Sequence, residues 1–174
     1  MNQSEIILRA VELKDCELMY DFENDTHSWT DGITTRFYSA YAIEQYVLNT
    51  QNEDIFSSCQ TRLMIDVKTA NSVKTVGCVD LYDIDAVHSR AGVGIYIAKE
   101  QRNNGYASKA LDKLYSYASN ILNLHQLYAF VAEDNAISNR LFESCNYKLT
   151  ANLKDWLKKG NKYQNVNVWQ RICD

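Results

Sequence analysis

Between Val93 and Val131 the apolar residues change period twice, and that double switch leaves few folds open. Val93, Ile95 and Ile97 alternate, as in a strand with one buried face. Ala107, Ala110, Leu111, Leu114, Ala118 and Ile121 then follow the 3.6-residue period of a helix about four turns long. Leu127 to Val131 is again a short apolar strand. Two strands joined through a helix in this way run parallel, with a right-handed crossover.

The rest of the chain is arranged around that unit. A first strand is expected at residues 6–9, and Asp15 is placed to N-cap a helix carrying Leu18, Met19 and Phe22. A second helix runs through Ile43, Tyr46 and Val47. Residues 62–68 and 74–85 read as a hairpin about a turn at 69–73, and the next strand follows a turn at 87–90. Ile137, Leu141, Phe142 and Cys145 mark a short helix, and the last strands fall near 147–153 and 163–172. Loops are expected at 25–40, 50–60, 68–73 and 156–163. The order β-α-α-β-β-β-α-β-α-β-β describes one mixed α+β domain over residues 1–174.

Composition narrows the function. With 174 residues, 46% apolar and 23% charged, the chain suits a single globular domain. Its longest apolar runs are about five residues, against the roughly 20 of a membrane span. The start lacks the pattern of a signal peptide. A net charge of −4 argues against nucleic-acid binding. The five cysteines form no C-x-x-C pair and are odd in number, so neither a disulfide framework nor a metal site is expected, and a reducing cytoplasm fits. The charge is uneven. Residues 1–60 hold eleven acids against Arg9, Lys14 and Arg36, while the remainder is net basic.

Between the 93–97 strand and its helix lie Arg102, Asn103, Asn104, Gly105, Tyr106 and Ala107. A tight Asn- and Gly-rich turn can aim successive N–H groups outward, and it leads into a helix start where amides lack partners. That is a phosphate cradle, with Gly105 allowing close approach and Arg102 and Lys109 adding charge.

The element order and this R-x-x-G-x-A loop resemble the GCN5-related N-acetyltransferases, which bind acetyl-CoA on such a loop. Further matches are Asn135 and Ser138 after the Tyr128–Val131 strand, and Glu143-Ser144-Cys145-Asn146-Tyr147, where Asn146 replaces a family Gly. His88-Ser89-Arg90-Ala91 and Leu122-Asn123-Leu124-His125-Gln126-Leu127 look like the branch of spermidine and ribosomal-protein N-terminal acetyltransferases.

The resemblance implies a GNAT fold: a mostly antiparallel sheet of about seven strands, splayed between the fourth and fifth and flanked by about four helices. It implies acetyl-CoA as cosubstrate, with Ile95, Tyr96 and Ile97 along the pantetheine and Asn135, Ser138 and Phe142 completing the cofactor site. It implies a small cationic amine acceptor such as a polyamine, with a protein N-terminus or lysine as the alternative, and a homo-oligomer. Asp83 matches a substrate-binding Glu of spermidine acetyltransferases. Asp80, Asp83 and Asp85 lie on the preceding strand, with Asp83 and Asp85 on one face and Asp80 on the other if no bulge intervenes. Phe142 stands where many members carry a proton-donating Tyr, so Ser138 is the donor candidate. That departure also motivates a third reading, a CoA-binding module without catalysis. Gly92 replaces a second Glu of the diamine clamp, and Asp155 is a further candidate base.

Overall fold

The computed structural model of the chain describes residues 4–26 and 36–173. Residues 27–35, part of the expected 25–40 loop, lie outside the described residues. The strands are β1 (Glu5–Ala10), β2 (Thr61–Lys68), β3 (Val73–Asp85), β4 (Arg90–Ile97), β5 (Gln126–Ala132), β6 (Lys148–Lys159) and β7 (Lys162–Ile172). The helices among the described residues are α1 (Cys16–Glu23), α2 (Ala40–Thr50), α3 (Ile55–Ser58), α4 (Tyr106–Asn120) and α5 (Ala136–Ser144).

The strands form one sheet in the order β1-β2-β3-β4-β5-β7-β6. The β4–β5 pair is parallel and the other pairs are antiparallel, as the crossover requires. Strand alternation sorts side chains to two layers. Ile65, Val79, Leu81, Val93 and Leu127 share a core with Ala110, Leu111, Leu114 and Ala118 of α4. Met64 and Cys78 face the other way, toward Met19 of α1 and Ile43 and Val47 of α2. The four α4 residues are fully buried, and each leucine contributes about 1.5–3 kcal/mol of transfer free energy.

Several expectations need correction. Ile121 continues the α4 period but is 66% exposed, because the helix stops at Asn120. Left-handed Asn123 (φ 52°) turns the chain and delivers Leu124 to the core instead. Asp15 does not cap α1. It lies in a 3-10 turn (Leu13–Asp15), 2% exposed, where it accepts from the Glu12 N–H at 2.9 Å and from both terminal nitrogens of Arg9. Arg9 also donates to Asp66 at 2.7 Å, joining β1, β2 and the start of α1. The expected 50–60 loop contains α3, whose single turn is too short to show a period and is capped by Asp54. The expected 156–163 loop is strand on both sides of Gly160, because a bulge at left-handed Asp155 hides the alternation. The five cysteines are free thiols.

Candidate active site

β4 and β5 pair over only three rungs, Arg90 with Gln126, Ala91 with Leu127 and Gly92 with Tyr128. Past Gly92 they part. β4 stays with β3 as far as Ile97 opposite Gly77, and β5 stays with β7 as far as Ala132 opposite Val166. The result is a wedge, closed at Gly92 and open where both strands end and α4 and α5 begin.

At the open end the two helix starts differ. Asn135 caps α5 by accepting the Ser138 N–H at 3.0 Å, as Ser39 and Asp54 cap α2 and α3. The α4 start has Gly105 at its cap position and no side-chain cap. Its first amides are therefore available to an anion. The turn before it is locked: Asn104 Nδ2 donates to the carbonyls of Gln101 and Arg102 at 3.0 and 3.1 Å. Asn103 and Gly105 take left-handed φ of 64° and 71°, and nothing lies within 4 Å of where a Gly105 Cβ would stand. Tyr106 and Ala107 pack the start of α4 onto the core. Arg102 anchors itself by donating from Nε to the Ile97 carbonyl at 3.0 Å, with its guanidinium 5.9 Å from the Tyr96 ring.

That last bond takes one lone pair of the Ile97 carbonyl, and the Ile97 side chain is buried on the core. Ile95 is half-buried on the core. Tyr96 packs on Phe22 at 4.9 Å, and its hydroxyl donates to Asp25 at 3.1 Å. Burial and that carboxylate push its phenol up to about 12. Phe142 is 4% exposed and edge-on to Tyr147. Asn146 is left-handed at φ 63°, which is how it replaces glycine after α5. Ser138 is half-buried in the first turn of α5. Its Oγ bonds nothing among the described residues, whereas Ser108, Ser116 and Ser144 each donate to a backbone carbonyl.

The three aspartates of β3 are arranged otherwise than expected. A bulge does intervene. Between the Tyr82–Gly92 and Asp85–Arg90 rungs, β3 carries two residues against one in β4. Asp80, Tyr82 and Asp85 consequently share a face, Ile84 turns into the core, and Asp83 takes the strained φ of 48°. Asp80 is separated from Asp83. Both Asp80 oxygens accept from Arg62, at 2.7 and 2.8 Å, and Arg62 also pairs with Glu23. This trio lines a cavity of about 410 Å³ under α1 and α2. Asp85 accepts the His88 N–H and pairs with Arg90 at 3.1 Å. Asp83 is exposed and makes no hydrogen bond or ion pair among the described residues. It lines a second opening of about 570 Å³ with Asp85, Tyr128, Phe130 and Gln170. Asp155 lies exposed at the β6 bulge.

Two site residues carry no sequence signal that could have found them. Asn139 ties α5 to the sheet, donating to the carbonyls of Ala132 and Asn135 at 3.0 and 2.8 Å. It accepts from Asn167 and the Trp169 indole at 2.9 and 2.8 Å. Tyr82 crosses from β3 over Gly92 to meet Tyr128, with ring centroids 6.1 Å apart. Among the described residues, no helix is long and apolar enough to cross a membrane.

The chain is 26% identical to a spermidine N(1)-acetyltransferase of Vibrio cholerae over 163 residues, covering 94% of this chain and 90% of that one. It is 25% identical to the uncharacterized N-acetyltransferase YoaA of Bacillus subtilis, covering 96% and 93%. A crystal structure of the spermidine N-acetyltransferase from Vibrio cholerae in complex with CoA and spermine superposes with a TM-score of 0.85. That match is 24% identical and covers 97% of this chain and 95% of that one. A dodecameric structure of spermidine N-acetyltransferase from Vibrio cholerae superposes at 0.78, at 25% identity, covering 96% and 93%. Residues 5–148, most of the chain, match the acetyltransferase (GNAT) domain, and with its splayed sheet and uncapped α4 loop the chain belongs to this family of acetyltransferases.

Proposed function

We propose that the chain transfers the acetyl group of acetyl-CoA to a primary amine of a small polycation of the polyamine type. The observation that carries the reading is the wedge. Its open end leads to α4, a 15-residue helix that starts without a side-chain cap, and its closed end lies beside a carboxylate, Asp83, that no other described residue bonds.

In this reading the diphosphate lies on the amides around Gly105, Tyr106 and Ala107, with Asn103, Asn104 and Arg102 shaping the turn. The pantetheine lies in the wedge along Ile95 and Tyr96, with Asn135 and Ser138 on the opposite wall. The acceptor approaches through the Asp83 opening. An alkylammonium is neutral in roughly one molecule in 2,500 at pH 7, so attack requires removal of a proton. Asp83 attracts the cation and passes that proton to water. As the C–S bond breaks, the thiolate takes a proton, and the free Ser138 Oγ is the proposed donor. Asp80, bound by Arg62, contributes negative potential from the neighbouring cavity rather than a contact.

The polyamine acceptor is supported by the Vibrio cholerae relative, a spermidine acetyltransferase, and by the acidic residues 1–60. Self-association is also proposed, since one similar structure is dodecameric. Light scattering of the purified chain tests it. The function is tested by following CoA thiol release with spermidine, putrescine, a monoamine, and peptides with free N-termini or lysines. Turnover of spermidine and putrescine is expected. Turnover of peptides alone would move the assignment to protein amines, and binding of acetyl-CoA without any turnover would leave a CoA-binding module.

A further inference from the structure

We infer that Tyr82 is a catalytic residue, whose hydroxyl donates a hydrogen bond to the thioester carbonyl oxygen at the closed end of the wedge. The inference rests on the acetyltransferase reading and adds to it a source of oxyanion stabilisation.

Position is the first ground. A Cβ on Gly92 would stand 2.3 and 2.4 Å from Cε2 and Cζ of Tyr82, so the phenol lies directly on β4 at the last rung before the strands part. The ring meets Tyr128 edge-on, at 83°, on the far side of the wedge, and the hydroxyl faces the backbone N–H of Phe130. Gly92 to Ile97 is about 17 Å of strand at 3.3–3.4 Å per residue, comparable with a pantetheine arm. An arm starting at the Gly105 turn and following β4 therefore brings its thioester to Tyr82.

Chemistry is the second ground. The Tyr82 O–H is half-buried and donates to nothing among the described residues. An amide facing its oxygen polarises that bond. Burial, and then Tyr128 and Asp83, raise its phenol well above the ordinary value, so the proton stays on oxygen at neutral pH. The group is a fixed donor and not a base.

In the step, the amine nitrogen forms the C–N bond and the carbonyl π pair moves to oxygen, which accepts from Tyr82. The pair then returns and the C–S bond breaks. The thiolate takes a proton from its own donor, and the ammonium proton leaves through Asp83 and water. Tyr82 keeps its proton throughout. Removing one such donor typically costs about 100-fold in kcat.

Tyr82→Phe keeps the ring on Gly92 and deletes the hydroxyl. With acetyl-CoA and spermidine, kcat is expected to fall about 100-fold with KM for acetyl-CoA and Tm unchanged. The same loss is expected with an acetyl thioester of a more acidic thiol, because the oxyanion forms whichever thiol leaves. Gly92→Ala, which pushes the phenol aside, is expected to reproduce the loss with the hydroxyl still present. A readout independent of the acceptor is the infrared carbonyl band of bound 13C-acetyl-CoA, expected at lower wavenumber in the unaltered protein than in Tyr82→Phe. Unchanged kcat and band position would overturn the inference. So would a loss rescued by the acidic thiol, which makes Tyr82 the sulfur's donor, or one that tracks CoA affinity and Tm, which makes it a structural plug. If the unaltered protein shifts the band relative to Tyr82→Phe yet acetylates no amine, the acceptor reading fails and the contact stands.

Discussion

Replacing Gly105 with alanine separates the cost of a backbone conformation from the cost of blocking a ligand. Gly105 has φ 71°, where an L-residue is disfavoured by roughly 1–2 kcal/mol. The new methyl meets nothing within 4 Å, so no clash adds to that strain. The strain burdens the folded state with or without CoA, and at roughly 2–4 °C per kcal/mol for a chain of this size Tm falls by about 2–8 °C. The methyl also enters the space in front of the α4 amides. Losing one charge-assisted hydrogen bond to phosphate, at about 1.5–3 kcal/mol, weakens CoA binding roughly ten- to hundredfold. Gly160 supplies the control. It has φ 62°, also meets nothing within 4 Å, and lies in the β6–β7 turn away from the loop. Calorimetric titration with CoA and thermal melts of both variants decide the matter. Gly160→Ala should lower Tm to a similar degree and leave Kd untouched. A Gly105→Ala protein that binds CoA within twofold of the parent would refute the cradle, as would equal weakening by Gly160→Ala.

Asp83→Asn should lower kcat/KM for spermidine at least tenfold and leave KM for acetyl-CoA unchanged, whereas equal effects on both substrates would remove Asp83 from the acceptor side. Ser138→Ala should slow turnover with acetyl-CoA and recover with an acetyl thioester of a more acidic thiol; no recovery would end its role as thiolate donor. Arg9→Met strands the Asp15 and Asp66 carboxylates in the interior. The expected loss is about 3–5 kcal/mol, read as a drop in urea midpoint. Burial pushes the Asp15 carboxyl up, but bonds from Arg9 and the Glu12 N–H outweigh it and hold it below its ordinary 3.8. Its contribution is therefore complete above that value and is lost as pH falls through the lower folded-state pKa. Urea titrations from pH 6 to 3 should show this acid-linked loss in the parent and its reduction in Arg9→Met.

The strand-helix-strand unit was legible because burial imposes period on both strands and on α4, and the tight turn before α4 was legible because Asn and Gly mark left-handed backbone. What escaped was set by register and distance. The bulge at Asp83 has no mark in Asp-Ile-Asp, yet it moves Asp85 to the face of Asp80 and leaves Asp83 alone. Arg62 and Asp80 are distant in sequence, so nothing local told that Asp80 would be held by an arginine. Tyr82 read as one of many tyrosines until the missing side chain at Gly92 gave its ring a place. Asn139 has no local mark either, because the partners that fix it come from β5, β7 and its own helix start.

The three-rung seam between β4 and β5 has a consequence for how the molecule opens. β5 is held to β7 by seven rungs and β3 to β4 by seven, so the sheet is weakest between two well-knit halves. The amides of residues 90–92 and 126–128 that bond across the seam belong to one sub-global opening event and exchange with solvent together, ahead of those inside either half. A ligand arm lodged in the wedge bonds to both strands at once. It adds rungs to the seam, so the gain in protection on binding extends to the paired residues below it that the ligand never touches.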